Sequence, residues 1–324
     1  MRDALARLDL PAFADLHVHF MPPPVMAAVW RYFDRAGPLL GRPWPVRYRG
    51  TDSERVEFLR DCGVGLFAGL SYAHKPEMAE YLTDWSLAFA AEVPEAVATG
   101  TFFPEPGVGG YVSEAIERGC QLFKIHLQVG DFDPRDPRLD PVWDLLSATG
   151  TPVIIHAGSG PVPGRFTGPE PLRQVLARFP HLPAVIAHFG SPEEREFVEL
   201  ALTYPTVGLD TTMVDTDFMS DIHRFDRSVL PRVRELGLDG RVFFGTDFPN
   251  IPYPYLEAVD AVELKIALLL VIFVRAFFEL TWALRQFNYC SIVMGGIPTG
   301  PPEGVAERRA EVAAKVANRA ARHF

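Results

Sequence analysis

The chain has 324 residues, 48% hydrophobic and 22% charged, an ordinary soluble composition with room for one large domain or two modest ones. A net charge of −10 argues against a nucleic-acid binder, which usually needs a basic stripe. Cys62, Cys120 and Cys290 are too scattered for a zinc cluster or a disulfide framework and fit a reducing, cytoplasmic setting.

Met1 to Leu10 carries charges throughout and lacks the apolar core of a signal peptide. Phe13 to Val18 is predicted as the first strand and runs into Asp15-Leu16-His17-Val18-His19-Phe20. Residues two apart in a strand share a face, so His17 and His19 point the same way with Asp15 behind them. Two imidazoles on one face are a good start for a metal site, although such pairs also occur on surfaces by chance. A helical stretch near Val25 to Phe33 and a Gly/Pro/Arg-rich loop from Gly37 to Thr51 follow. Such a long insertion after a strand often builds the wall of an active site.

After the helix Ser53 to Asp61 the rhythm is regular. Strands are predicted over Val64 to Leu70, Ala96 to Phe103, Cys120 to Leu127, Thr151 to His156, Ala184 to His188, Val207 to Asp210 and Arg241 to Gly245. Helical patterns separate them at Pro76 to Glu92, Gly110 to Arg118, Pro141 to Ala148, Pro171 to Ala177, Pro192 to Thr203 and Asp226 to Leu236. Strands alternating with helices imply parallel pairing and right-handed crossovers. With Phe13 to Val18 they number eight, which points to an α/β (β/α)8 TIM barrel. An open doubly wound sheet is the alternative, weakened by the lack of a Gly-x-Gly-x-x-Gly turn after an early strand.

One stretch is out of character. Ile266 to Phe278 is apolar except for Arg275, and the bias continues through Trp282 and Leu284. It is too short to span a bilayer uncharged, since a window of about 20 residues takes in Lys265, Arg275 and Glu279. A buried or interface helix is the better expectation. The whole chain, 1–324, is expected to be one domain, with 263–303 an atypical segment within it.

In such a barrel chemistry belongs at the C-terminal ends of the strands. The first strand ends in His17 and His19, the fourth in Lys124 and His126, the fifth in His156, the sixth in His188 and the eighth in Asp247. Any one of these is more often a satisfied polar residue than a ligand. Their joint placement on one rim shifts the balance. Three imidazoles and a carboxylate can hold a metal and leave room for water, whose pKa then falls toward about 7. A further histidine could shuttle a proton.

These segments carry a resemblance. Asp15-Leu16-His17-Val18-His19-Phe20, Phe123-Lys124-Ile125-His126, Val153-Ile154-Ile155-His156-Ala157-Gly158, Ile186-Ala187-His188-Phe189-Gly190 and Phe244-Gly245-Thr246-Asp247-Phe248-Pro249 stand in the order and spacing of the amidohydrolase superfamily. The chain most resembles its amidohydrolase-2 branch, which includes aminocarboxymuconate-semialdehyde decarboxylase-like enzymes, over about residues 10 to 255. The resemblance implies a metal held by His17, His19, His156 and Asp247. It implies that His188 orients or deprotonates the water, and that Asp247 can also accept a proton. In binuclear relatives a lysine at the place of Lys124 is carboxylated and bridges two metals. One divalent ion is expected here, zinc first and manganese or another second. Lys124 or His126 then faces the substrate pocket, unless Lys124 is an interior charge paired with Asp15 or Asp247.

His74, Arg165 and Asp210 to Thr212 are weaker rim candidates, while His181 and His223 are expected on the surface. The expected partner is a small, carboxylated substrate, with no nucleic acid and no membrane, and with self-association left open. The resulting expectation is a hydrolase that uses metal-activated water. A non-oxidative decarboxylase on the same scaffold and a non-catalytic metal-binding or interaction protein are the alternatives. The closing segment Lys315 to Phe324 loosely resembles the family's last helix, so the departure lies between it and Asp247.

Overall fold

The computed structural model describes Leu5 and residues 9–251. The chain divides into two compact units, Met1–Val259 and Asp260–Phe324, and every described residue belongs to the first. The apolar stretch 263–303 and the closing segment lie outside the described residues. Among the described residues no helix is long and apolar enough to cross a membrane.

Eight parallel strands line up in chain order. They are β1 (Phe13–His19), β2 (Val64–Leu70), β3 in two short pieces (Ala96–Val97 and Thr99–Gly100), β4 (Leu122–His126), β5 (Val153–His156), β6 (Ala184–Ile186), β7 (Gly208–Asp210) and β8 (Val242–Phe243). The predicted ladder is present, with strands two and four to eight ending within a few residues of expectation. The third is shorter than Ala96 to Phe103 and breaks at Ala98, whose carbonyl accepts from Gln121 N at 2.9 Å. The ends meet. Leu16 N donates to Phe244 O at 2.9 Å, Asp247 N to His17 O at 2.8 Å, and Val18 bridges Phe248 in parallel. These bonds close β8 onto β1 and make the sheet a barrel.

Strand alternation sorts the side chains. On β4, Phe123 and Ile125 join the large core under the helices, with Val153 and Ile155 of β5. Leu122 and Ile154 pack inside the barrel with Val185. The same inward parity carries Lys124, His126 and His156 to the rim.

Two helices cross the loop between β1 and the outer helix α3 (Asp52–Cys62): α1 (Pro23–Arg35) and the short α2 (Gly37–Leu40). Thr51 caps α3 through a complete capping box with Glu54, which sets where the insertion ends.

Candidate metal centre

The rim of the barrel gathers a compact cluster of histidines and carboxylates. On β1 the register against β2 slips between Asp15 and Val18, three residues opposing two. Bulges of this kind re-aim side chains beside active sites. His17 and His19 both face the cavity, their ring centroids 5.2 Å apart. Gly245 leaves room for His17: a Cβ there would stand 2.8 Å from the His17 Cβ and 2.2 Å from Thr212 Oγ1.

Each imidazole is oriented by a bond at Nδ1. His17 Nδ1 donates to Asp210 Oδ2 at 2.9 Å, and His19 Nδ1 to the Leu70 carbonyl at 3.1 Å. A neutral imidazole that donates through one nitrogen presents a lone pair on the other. His17 Nε2 and His19 Nε2 therefore converge as acceptors on Asp247, at 3.6 and 3.1 Å from Oδ1. Two lone pairs and a carboxylate oxygen facing one another lack a positive charge between them, and a divalent cation supplies it. Among the described residues these three side chains form the group whose ligand atoms all lie within 4.8 Å of one another. The donor set thus fits a metal ion.

Burial, with Lys124 alongside, pushes His17 down to about 3 against the pull of Asp210, so its imidazole is neutral at ordinary pH. Burial would raise Asp247, but His19, His17 and His188 outweigh it and hold the carboxyl below its usual range. Asp210 follows the same balance, with His17, His188 and Lys124 overcoming burial.

Asp210 is the residue whose weight the sequence concealed; it ranked there only as a weak rim candidate. Its Oδ2 holds His17, and its Oδ1 accepts from His188 N at 2.9 Å and Thr212 N at 3.1 Å. A carboxylate behind a ligating imidazole fixes its tautomer and raises its basicity. The available signal was a second acidic residue ending an apolar strand run, as Asp247 does.

The sequence placed His188 at the end of strand six, but β6 stops at Ile186 and the chain turns. His188 and Phe189 adopt φ of 57° and 52°. The turn places His188 Nδ1 3.1 Å from the Thr212 carbonyl, to which it donates, so Nε2 carries the lone pair. Its ring lies 5.0 Å from that of His17. Burial lowers its pKa, while Asp210 and Asp247 pull the other way.

His156 stands in register with His126, and the two rings stack at 3.8 Å and 11°. Its Nε2 donates to the Gly160 carbonyl at 3.0 Å, which leaves Nδ1 as its acceptor. His156 lies beside the triad and is not one of the three converging groups, because the loop carbonyl and the His126 ring hold it. Lys124 is fully buried with Nζ 3.3 Å from His17 Nε2. Burial pushes it down to about 8, and the carboxylates that oppose this are Asp210 and Asp247, not Asp15. Asp15 instead accepts from His17 N, Thr246 N and Thr246 Oγ1, away from the cluster.

A cavity of about 440 Å³ opens over the cluster. Lys124 and His126 line it, and so does the exposed His74. Arg165 does not: its guanidinium extends outward to Asp131 at 3.0 Å, with both side chains mostly exposed. Val25, Ala28, Val29, Tyr32 and Phe33, one face of α1, form the apolar wall with Trp44. Trp44 Nε1 donates to Asn250 O at 2.9 Å, and Asn250 N to Asp247 O at 2.8 Å, so the insertion is tied to the metal-site loop. His223, expected at the surface, is half-buried and paired with the buried Glu194.

A closed parallel barrel with a histidine–carboxylate cluster at its C-terminal rim defines a recognisable class of enzyme scaffold. The chain belongs to the amidohydrolase-2 family, whose model, described as Amidohydrolase, matches residues 14–271. A second model, described as a protein of unknown function (DUF599), matches residues 248–324. No curated protein matches the chain. Among solved structures it is similar to an uncharacterised TIM-barrel protein from Bordetella bronchiseptica, with 16% identity, TM-score 0.61, and coverage of 95% of this chain and 99% of that one. It is also similar to an amidohydrolase II, with 17% identity, TM-score 0.51, and coverage of 79% and 92%. These likenesses support the barrel and not a particular reaction.

Proposed function

We propose that the chain is a metal-dependent hydrolase of a small substrate carrying a carboxylate. The observation that carries this reading is the convergence of His17 Nε2, His19 Nε2 and Asp247 Oδ1. These residues would hold one divalent ion, zinc first and manganese second, with His156 beside them as a further donor through Nδ1. Such an ion supplies Lewis acidity and lowers the pKa of a bound water toward about 7.

The chain's own residues do the rest. Asp210 keeps His17 in its ligating tautomer and pins the backbone of His188. His188 Nε2 accepts the proton of the attacking water and returns one to the departing atom. Lys124, the one Lys or Arg among the described lining residues, pairs with the substrate carboxylate. The α1 wall excludes water from the apolar body of the substrate.

Metal analysis and turnover test the division of labour. Purified protein should hold about one ion per chain. His17→Ala should lose it, while His188→Ala should keep it and lose about 10²–10⁴-fold in turnover. Metal loss in both variants, or two ions per chain, would overturn the assignment.

The acid limb of kcat/KM gives a second check. His188 must be unprotonated to act, and burial holds its pKa below 6.5. The acid limb should therefore have its midpoint below pH 6.5, because protonation of the free enzyme's base lowers kcat/KM. A limb centred above pH 6.5 would show that another group is the base.

Decarboxylation is the second reading, favoured by the place of Lys124. It stands against His17, so a carboxylate bound to it would lie among the reacting groups. Product analysis over carboxylated aromatics and lactones separates the two, since only decarboxylation releases carbon dioxide.

A further inference from the structure

A second cavity, of about 280 Å³, adjoins the first and shares His156, Pro161, His188 and Met213 with it. For scale, an engineered cavity of about 150 Å³ takes up benzene. Its own walls come from the loops after β5, β6 and β7.

Its chemistry differs from that of the first cavity. Glu194 is 2% exposed and accepts a hydrogen bond from His223 Nε2 at 2.7 Å. Asp215, also in the wall, is ion-paired with Arg227 at 2.9 Å. No Lys or Arg is among the described residues that line this cavity, whereas Lys124 lines the other. A wall that offers paired carboxylates and no lysine or arginine gives an anion no counter-charge, while the carboxylate oxygens accept hydrogen bonds.

We propose that this chamber is a leaving-group subsite, which takes a neutral or cationic group bearing N–H or O–H donors toward Glu194. The inference rests on the hydrolase reading. In hydrolysis an acyl carbon–X bond breaks, water gives its oxygen to the carbon, and one of its protons ends on X. The two products part on either side of the transferred proton. His188 lines both cavities, so it can receive that proton on the acyl side and deliver it to X in the chamber. Decarboxylation puts the proton on the carbon that loses carbon dioxide, so its departing group is only that small gas and needs no second space of this size.

Fluorine NMR titration of the full-length, metal-loaded protein tests the chamber without turnover. The probes are 4-fluorobenzylamine, a cationic donor, and 4-fluorobenzoate, an anion suited to Lys124. Glu194→Gln should weaken the amine at least tenfold and leave the benzoate within twofold. Ile222→Trp, which fills the chamber and keeps its charges, should also exclude the amine and spare the benzoate, so the test survives if one variant fails to fold. Amine binding that ignores a folded variant, equal loss of both probes, or no amine binding to wild type would overturn the subsite. Carbon dioxide release with amine binding still dependent on Glu194 would overturn the hydrolase reading and the leaving-group role, while the binding site itself stood.

Discussion

Asp247→Asn should lower kcat/KM by about 10³-fold or more, roughly 4 kcal/mol of transition-state stabilisation, and weaken metal binding. The carboxylate is the anion on which His17 Nε2 and His19 Nε2 converge, and an amide removes the charge from that position. Asparagine is the informative replacement because Asp247 sits at φ 61°. Asparagine tolerates this left-handed conformation, whereas most residues are strained there. The backbone bond from Asp247 N to His17 O does not depend on the side chain, so the barrel seam should persist. A melting temperature of the metal-free protein that is unchanged, with lost turnover, is the expected pair of results. A variant that keeps its ion and activity within tenfold would remove Asp247 from the chemistry.

Asp15→Ala should have its large effect on stability instead. Asp15 is fully buried at the seam between β1 and β8, where its Oδ1 accepts from two backbone N–H groups, of His17 at 3.1 Å and Thr246 at 3.2 Å. Its Oδ2 accepts from Thr246 Oγ1 at 2.6 Å. Removing the carboxyl leaves both N–H groups without their acceptor, a loss of about 3–5 kcal/mol in denaturant unfolding. Asp15→Asn keeps Oδ1 in place and should lose about 1 kcal/mol or less.

The pH dependence gives a finer comparison. Burial raises Asp15 from 3.8 to about 7 in the folded protein. The folded state therefore binds the proton more tightly than the unfolded state. This contribution is fullest below about pH 4 and is lost as pH rises through 7. The difference in stability between wild type and Asp15→Asn should follow that window. A flat difference would mean that Asp15 stays ionised.

Much of this architecture was legible because strand parity does the sorting. In Leu122-Phe123-Lys124-Ile125-His126 the alternation alone predicts that Lys124 and His126 share a face, and they do. Side chains governed by a partner far along the chain were not legible. Asp210 gains its role from His17, 193 residues away, and nothing local to β7 records that. His188 was placed at the end of a strand because positive φ leaves no mark on a sequence unless glycine stands there. Arg165 was drawn to the rim by its loop, but Asp131, brought near only by folding, holds it outside. The apolar face of α1 shows in the spacing 25, 28, 29, 32 and 33, but only the closed barrel reveals what that face covers.

The insertion that carries α1 interrupts no strand and contributes nothing to closure of the barrel. It meets the loop that carries Asp247 through the Trp44 indole on the Asn250 carbonyl, the Tyr48 ring against Phe248, and Trp44 and Val46 packed with Ile251. The apolar wall over the cavity is thus a separate piece of chain, seated on the ladder of strands by a small set of aromatic and apolar contacts. A change of substrate could be reached by rewriting Val25 to Phe33 while the cluster on β1, β7 and β8 stays untouched. The cavity's apolar wall and its polar rim come from different stretches of the chain, and the Trp44–Asn250–Asp247 contacts are the joint that a grafted insertion between His19 and Thr51 would have to keep.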